Sequence, residues 1–317
     1  MQNSTTPPSA SISNRRWLPR PFWIFLATFV LVIVFACLRI VLPIYRQAAM
    51  VREVERLGGT CVREAILPDR LRKWIGQEQE AVWDPVTMVY LAGAEVTGSD
   101  LQRLKELPDL QMLSLGNARI TDDTLVPLHT LSRRLNELSL GNTQITDAGL
   151  VHLKRLDRLT FLAIDYTQVS DTGLLHLREL NQLKFLSLSN TQITDAGLED
   201  VGRLNNLEFL SLDDARVTDT GLAHLKGLSK LRSLSLNSTQ ISNDGLAHLT
   251  TLTELRELDL SGTQVSDAGL VHLKKLTRLS TLSIVGTKVT EGGINDLKRT
   301  MSGLSIRGTG VQQGSGT

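Results

Sequence analysis

A 24-residue repeat fills most of this chain and is the feature that most restricts its fold. The spacing between units is 24 residues, except for one interval of 25 and a final interval of 22. A period of this length is typical of solenoids, in which one unit cannot bury its apolar side alone and buries it against its neighbours. The units begin at Val86, Leu110, Leu135, Leu159, Leu183, Leu207, Leu231, Leu255 and Leu279, with a truncated last unit near Met301.

The apolar positions inside a unit predict one short strand followed by one short helix. Leu186 and Leu188 alternate with polar residues, which is the pattern of a strand with one buried face. Leu150, Leu153 and Leu156 recur every three residues, which predicts the inward side of a short helix. Each unit therefore contributes one strand and one helix to a shared core.

The predicted helices begin at Thr or Ser followed by Asp, as in Thr146-Asp147. A hydroxyl or a carboxylate at this point can cap free backbone N–H groups, so we expect the aspartates to cap the helices that they begin. We expect Gly149, close to the leucine stripe, to let its helix approach the strand. The aspartate column consists of Asp122, Asp147, Asp171, Asp195, Asp219 and Asp267, with Asn243 and Glu291 in two units.

The opening of each unit has the form L-x-x-L-x-L-x-x-T-x-I, as in residues 135–145, and resembles the leucine-rich repeat. The resemblance covers residues 86–311 and implies an α/β fold: a curved solenoid with parallel strands on its concave face and short helices on its convex face. Strands stack about 4.8 Å apart and helices about 10 Å apart, which would produce that curvature. The resemblance also implies that the Thr at the ninth position hydrogen-bonds neighbouring turns, with interruptions at Ala94, Ala118 and Ala215.

The N-terminal segment predicts a membrane anchor. Residues 1–20 are rich in Ser, Thr and Pro and are expected to be disordered. Residues 21–38 carry no charge and would span roughly 27 Å as a helix, so residues 21–45 are predicted to form one transmembrane helix. A cleavable signal peptide, or a lipoprotein signal ending at Cys37, stays as an alternative. We expect a cytoplasmic N-terminus and repeats on the exported side, periplasmic or extracellular.

Residues 46–85 connect this helix to the repeats and are interpreted as a stalk and an N-terminal cap. Thr60 to Ile66 reads as a strand and Asp69 to Ile75 as a short helix. A repeat stack needs such a cap because its first unit would otherwise expose core residues. Residues 312–317 are expected to be a flexible tail. The chain as a whole resembles bacterial proteins that have a short N-terminal anchor and carry Leu-Gly-Gly, here Leu57 to Gly59, before a T-D-x-G-L repeat.

The composition argues against several classes of function. A net charge of +1 does not suit a nucleic-acid binder, and two cysteines cannot make a disulfide scaffold. No phosphate loop or nucleophile motif is present, so we expect neither an enzyme nor a cofactor. We expect no metal site either, because the repeated histidines would lie roughly 10 Å apart on neighbouring helices. These histidines are His152, His176, His224, His248 and His272.

The most unusual residues lie at the third position of the predicted strands, which should face solvent on the concave side. Phe161, Phe185 and Phe209 occupy it in three consecutive units, where the leucine core does not require them. Exposed aromatic residues edged by polar groups are typical of protein interfaces. We predict a partner-binding site here; the alternative is cross-strand packing that stiffens the sheet. The polar residues predicted to complete the site are Asp165, Tyr166, Asp213 and Asp214.

These observations favour a membrane-anchored, non-catalytic protein whose concave face binds another protein. A module that binds cell-envelope glycans is the first alternative, because the same phenylalanines could stack on sugar rings. A substrate adaptor of a ubiquitin-ligase-like system and a structural spacer are the others.

Overall fold

A sheet with one strand from each unit organises the repeat region. The computed structural model of the chain describes residues 20–64 and 84–308. Within these residues the strands follow one another across the sheet in sequence order. They are β1 Thr60–Arg63, β2 Val86–Tyr90, β3 Met112–Ser114, β4 Glu137–Ser139, β5 Phe161–Ala163, β6 Phe185–Ser187, β7 Phe209–Ser211, β8 Ser233–Ser235, β9 Glu257–Asp259, β10 Thr281–Ser283 and β11 Ser305–Arg307.

From β2 to β11 the strands are parallel and equivalent positions of successive units pair, as Leu186 does with Leu210. β1 pairs antiparallel with β2 at the N-terminal edge of the sheet. Between the strands lie short helices, so the predicted α/β solenoid of parallel strands is confirmed. The helices of the units are α3 Gly98–Arg103, α4 Asp147–Leu150, α5 Asp171–Leu174, α6 Leu198–Val201, α7 Asp219–Leu222, α8 Asn243–Leu246, α9 Asp267–Leu273 and α10 Glu291–Thr300, with 3-10 helices at Leu104–Glu106, Asp122–Leu131, Val151–Leu153, Ala223–Gly227 and Ala247–Thr251.

The segment before the repeats is largely helical where it is described. α1 spans Arg20–Ala36, a π-helical turn follows at Cys37–Val41, and α2 spans Leu42–Arg56. The chain divides into two compact parts, with the boundary between Tyr45 and Arg46. The expected tail at 1–20, apart from Arg20, the expected helix at 69–75 and the expected tail at 312–317 lie outside the described residues.

Leucine columns form the core of the repeats. In the unit beginning at Leu183, the side chains of Leu183, Leu186, Leu188 and Leu198 are fully buried. The same positions are buried in the other units, and Val54 of α2 joins this core. Because most rungs use leucine, and the others use valine or isoleucine, successive units fill nearly the same core volume.

The threonine column does not connect neighbouring turns, which corrects the expectation drawn from the resemblance. Each Oγ1 donates instead to the carbonyl oxygen of the residue three positions earlier in its own unit. The donor–acceptor distance is 2.6 Å from Thr143 to Leu140 and 2.7 Å from Thr167 to Ile164. Thr191, Thr239, Thr263 and Thr287 do the same. These hydroxyls therefore stabilise the turn after each strand.

The aspartate column makes the connection between units, and here too the prediction was wrong. Asp147 was expected to cap its own helix. Its carboxylate accepts instead from the backbone N–H of Ser170 at 2.7 Å and from the Ser170 hydroxyl at 2.6 Å, both in the next unit. Asp171 binds Thr194 in the same way, at 2.8 and 2.6 Å. The other members of this junction ladder are Asp122–Thr146, Asp195–Thr218, Asp219–Ser242, Asn243–Ser266 and Asp267–Thr290.

The donors from the next unit also lower the pKa of two aspartates of the ladder, Asp147 and Asp195. Burial alone would raise the pKa of Asp147, but hydrogen bonds from Ser170, Thr172 and the Gly173 N–H outweigh it. The pKa of Asp147 therefore lies below its ordinary value, and that of Asp195 is lowered for the same reason. These two carboxylates are thus ionised acceptors at neutral pH, which strengthens the hydrogen bonds that they accept.

The glycine two residues after each aspartate except Asp122, which is followed by Thr124, is required by the same kind of junction. A Cβ on Gly149 would lie 2.4 Å from Oδ1 of Asp122, in the preceding unit. A Cβ on Gly197 would lie 2.4 Å from Oδ1 of Asp171. We expected Gly149 to allow the helix to approach the strand; the nearest atom is the carboxylate of the neighbouring unit. Aspartate and glycine are therefore coupled across units.

We predict that Gly197→Ala lowers the free energy of unfolding by about 1–3 kcal/mol, because its methyl group overlaps the Asp171 carboxylate. Asp171→Ala should also cost about 1–3 kcal/mol, because it leaves the Thr194 N–H without its acceptor. The double variant should lose clearly less than the sum of the two, measured by denaturant unfolding. Gly303→Ala, where a Cβ meets nothing within 4 Å, is the control. Additive losses would show that the two residues are not coupled.

Candidate partner-binding face

The three phenylalanines stack on one another along the sheet. Phe161 pairs with Phe185 and Phe185 with Phe209 in the strand register. The ring centroids are 4.1 Å apart in both pairs, with interplanar angles of 13° and 3°. All three side chains are partly exposed. The middle ring is covered on both faces, so the stack offers a partner its ring edges and the outer faces of its two end rings.

This stacking is the cross-strand packing that the sequence left open as an alternative. It stiffens the sheet, because offset or parallel aromatic pairs add to the stability of neighbouring strands. The same packing also fixes the rings in place before any partner arrives. The third, fifth, seventh and eighth positions of the units, which we call the strand face, surround the stack.

Two carboxylates of the strand face are held in a fixed orientation by the following unit. Oδ1 of Asp165 accepts from the Ser187 hydroxyl and from the N–H of Ser189, the latter at 3.1 Å. Oδ1 of Asp213 accepts from the Ser235 hydroxyl at 2.5 Å and from the N–H of Asn237 at 2.9 Å. In the part of the chain that the structure describes, these bonds use Oδ1 alone. Oδ2 of each aspartate thus stays available to a partner.

The eighth position of each unit lies in a left-handed turn at the end of the strand. Its φ is 54° at Tyr166 and 56° at Asp214. Asn, Gly or Ser stands there in most other units, because such residues adopt this conformation at little cost. A tyrosine in this conformation is strained, and 59% of Tyr166 is exposed. Nothing in the turn requires its ring.

A depression of about 580 Å³ brings five of the seven predicted residues together: Asp165, Tyr166, Phe209, Asp213 and Asp214. Phe161 and Phe185 are not among its lining residues. The lining also includes amides that the sequence analysis missed, namely Asn117, Asn142 and Asn237. The available signal was the recurrence of asparagine at the eighth position, in Asn117 and Asn142.

A second depression, of about 250 Å³, lies further along the strands. It shares Phe209 and Asp213 with the first and adds Glu257, Asp259 and Arg307. Glu257 was visible in the row of third-position residues but was not assigned to the site. Phe209 therefore stands between two depressions, which places the C-terminal end of the aromatic stack at the centre of the polar surface.

Potential metal ligands and thiols of the described residues do not converge. Among those residues no group of three or more His, Cys, Asp and Glu side chains could hold a metal ion. Cys61 is half-buried, and burial raises the pKa of its thiol to about 11. It is therefore protonated at neutral pH and a poor nucleophile.

Stacked strand–helix units with leucine columns define a class of repeat protein, and sequence comparison shows which one. A family model described as a leucine-rich repeat region matches residues 139–306, just over half of the chain. The chain therefore belongs to the leucine-rich-repeat family. A search of curated proteins found no matching sequence.

Solved structures that resemble this chain include two internalins of Listeria monocytogenes. Internalin C2 is 25% identical with a TM-score of 0.50, and the match covers 72% of this chain and 86% of internalin C2. The internalin inlF is 19% identical with a TM-score of 0.42, and the match covers 73% of this chain and 86% of inlF. We take the fold from the first similarity and no functional detail from either.

We predict that Tyr166→Asn raises the free energy of unfolding by about 1 kcal/mol, because it removes the strain of a bulky residue in the left-handed turn. The reciprocal Asn190→Tyr, at the same position one unit later, should lower it by a similar amount. Denaturant unfolding of both variants measures the effects. A less stable Tyr166→Asn protein would show that the ring contributes to the scaffold.

Proposed function

We propose that this chain is a non-catalytic, membrane-anchored scaffold that binds a partner protein through its strand face. One observation carries the proposal: a partly exposed stack of Phe161, Phe185 and Phe209 adjoins a depression lined by fixed carboxylates. The scaffold does not need these residues, since Ser233 and Thr281 occupy the third position elsewhere with the strand register intact.

The geometry suits a protein interface in two ways. Aromatic residues inside a polar rim are the usual centres of binding energy in such interfaces. The stack and the hydrogen-bonded carboxylates are also ordered before binding, so a partner would meet little loss of side-chain entropy on this side.

A glycan is less well supported as the ligand. Sugar rings stack on open aromatic faces, and both faces of Phe185 are covered by its neighbours. Of the stack, only the outer faces of Phe161 and Phe209 could serve, and they lie two strands apart. Nothing in the described residues favours the adaptor or the spacer over protein binding.

The anchor is proposed for the helix that precedes the repeats. A continuous helix runs from Ile24 to Arg56, and its most apolar 18-residue window has a mean hydropathy of 2.8 with none of the window buried. A core helix of a soluble protein would bury such residues, whereas Phe25 is 75% exposed. A bilayer is the environment that such a surface favours, and we propose that the repeats lie on the exported side.

We predict that the full chain stays in the membrane pellet after an alkaline carbonate wash. High pH releases proteins that are held to a membrane by charge, but it does not extract a helix that spans the bilayer. The measurement is the distribution of the intact mass between pellet and supernatant. A soluble chain shortened at its N-terminus would identify a cleaved signal sequence instead and would contradict the anchor.

We predict that the full chain, solubilised in a non-ionic detergent, retains a protein from a cell-envelope extract and that replacing the three phenylalanines by serine abolishes this retention. Serine is suitable because it already occupies the third position at Ser233. The loss should follow from removal of the aromatic contact area, at about 1 kcal/mol or more per ring. Quantitative mass spectrometry of the eluates gives the comparison.

The matched control replaces three exposed apolar residues in the helical half of neighbouring units: Val126→Ser, Val151→Ser and Leu175→Ser. They are 44, 46 and 47% exposed. The control should retain the partner at the wild-type level. Equal retention by the wild type and the phenylalanine variant would move the site away from the strand face.

A further inference from the structure

We infer that the strand face receives a cationic protein segment and that an arginine side chain of this segment occupies the second depression, against Phe209. The inference rests on the proposed function and names the chemistry of the partner. It combines three observations: the charge of the face, the excess of its carboxylates over its single cation, Arg307, and an open aromatic face beside carboxylates.

From β2 to β10 the strand face carries negative charge only, and its one cation among the described residues is Arg307 of β11, which pairs with Ser283. Between Met88 and Val285, all of which is described, its third, fifth, seventh and eighth positions contain no lysine or arginine. The whole chain has a net charge of +1, so this is a local segregation and not a consequence of composition. The acidic residues at these positions are Glu137, Asp165, Asp213, Asp214, Glu257 and Asp259.

The ion pairs of the protein lie elsewhere. Glu208, one residue before the strand-face position of Phe209, pairs with Lys184 at 3.6 Å and with Arg232 at 2.9 Å. None of the ion pairs seen among residues 20–64 and 84–308 includes a carboxylate of the strand face. Those carboxylates accept from neutral donors, as Asp213 does from Ser235. Their charge is therefore left for a partner to neutralise.

The second depression has the shape and chemistry for a planar cation. The next residue along the sheet from Phe209 is Ser233, whose short side chain cannot cover the outer face of the ring. Ser233 instead donates to Glu257 at 3.2 Å, which places that carboxylate one strand beyond the opening. Phe209, Asp213, Glu257 and Asp259 all line this depression.

A guanidinium fits this arrangement better than an ammonium group does. It is flat, stacks on an aromatic face and donates in a fork that matches a carboxylate. Arg307 lines the far end of the depression. The lining therefore contains one guanidinium and three carboxylates, so its net charge is negative. Nucleic acids and other polyanions are repelled by such a surface. A cationic polypeptide segment is the partner that remains.

The test uses fluorescent peptides in which glycine alternates with arginine, lysine or glutamate, titrated against the full chain in a non-ionic detergent at about 0.15 M salt. The face variant is Asp213→Asn, Glu257→Gln and Asp259→Asn, in which each amide keeps an oxygen acceptor. The control variant is Asp109→Asn, Asp157→Asn and Asp244→Asn, three exposed acids outside the strand face that make no ion pair. Both variants change the net charge by the same amount.

We expect the arginine peptide to bind most tightly and the glutamate peptide not to bind. The face variant should weaken binding of the arginine peptide about tenfold or more, and the control variant less than about twofold. Phe209→Leu should reduce the preference for arginine over lysine, because it removes the aromatic face. Thermal unfolding of each variant confirms that the fold is retained.

Equal affinities for the arginine and glutamate peptides, or equal losses in the face and control variants, would overturn the inference. The proposed function can fail separately. If an envelope protein is retained through the phenylalanine stack but is unaffected by the face variant, the interaction module stands and its cationic partner does not. If the arginine peptide binds as expected and no envelope protein is retained, the surface chemistry stands and the partner-binding role falls.

Discussion

The hydrogen bonds that the ladder aspartates accept from the Ser or Thr of the following unit are the interaction on which the rest of the structure depends. The leucine columns supply most of the burial, but they are interchangeable and do not by themselves fix one unit against the next. A bond such as that from Ser170 to Asp147 holds the start of one helix to the start of the next, and Gly173 leaves room for it. The strands can then pair in a constant register, and Phe161, Phe185 and Phe209 meet at stacking distance because of it.

The candidate site consists of departures from this regular scaffold. Position three tolerates serine and threonine, yet three units place phenylalanine there. Position eight favours residues that adopt a left-handed turn easily, yet one unit places a tyrosine there at a cost in strain. Asp165 and Asp213 are fixed by donors from the next unit, so the scaffold orients the carboxylates that a partner would contact. A surface of this kind is rigid because the repeats are, and its specificity depends on few residues.

The sequence predicted the repeat, its strands and its buried positions, because these follow from spacing and residue type within one unit. It failed where the answer depended on geometry between units. The resemblance implied that the hydroxyl of Thr143 bonds a neighbouring turn, whereas in the structure it donates to Leu140 of its own unit. The carboxylate of Asp147 had a plausible role at its own helix, but its donors come from Ser170. The seven predicted site residues were found from their departure from the repeat pattern. Asn117, Asn142 and Asn237 were missed because asparagine recurs just after the strands and does not depart from the repeat pattern. Glu257 was missed because the third positions of its neighbouring units, Ser233 and Thr281, carry no similar residue.

The junction ladder also explains how a protein of this kind can change its length. Each unit from the one beginning at Leu135 to the one beginning at Leu255 carries an acceptor for the unit after it and a donor for the unit before it, so any two of these units fit at their boundary. Tandem duplication or loss of a whole unit therefore creates only compatible junctions, whereas an insertion inside the paired segment would break one. The single extra residue of the second unit illustrates the limit: it falls among Ser132, Arg133 and Arg134, after the helix, and Asp122 still reaches Thr146 at 2.9 and 2.6 Å. Such steps lengthen the strand face by one strand at a time and leave the core unchanged.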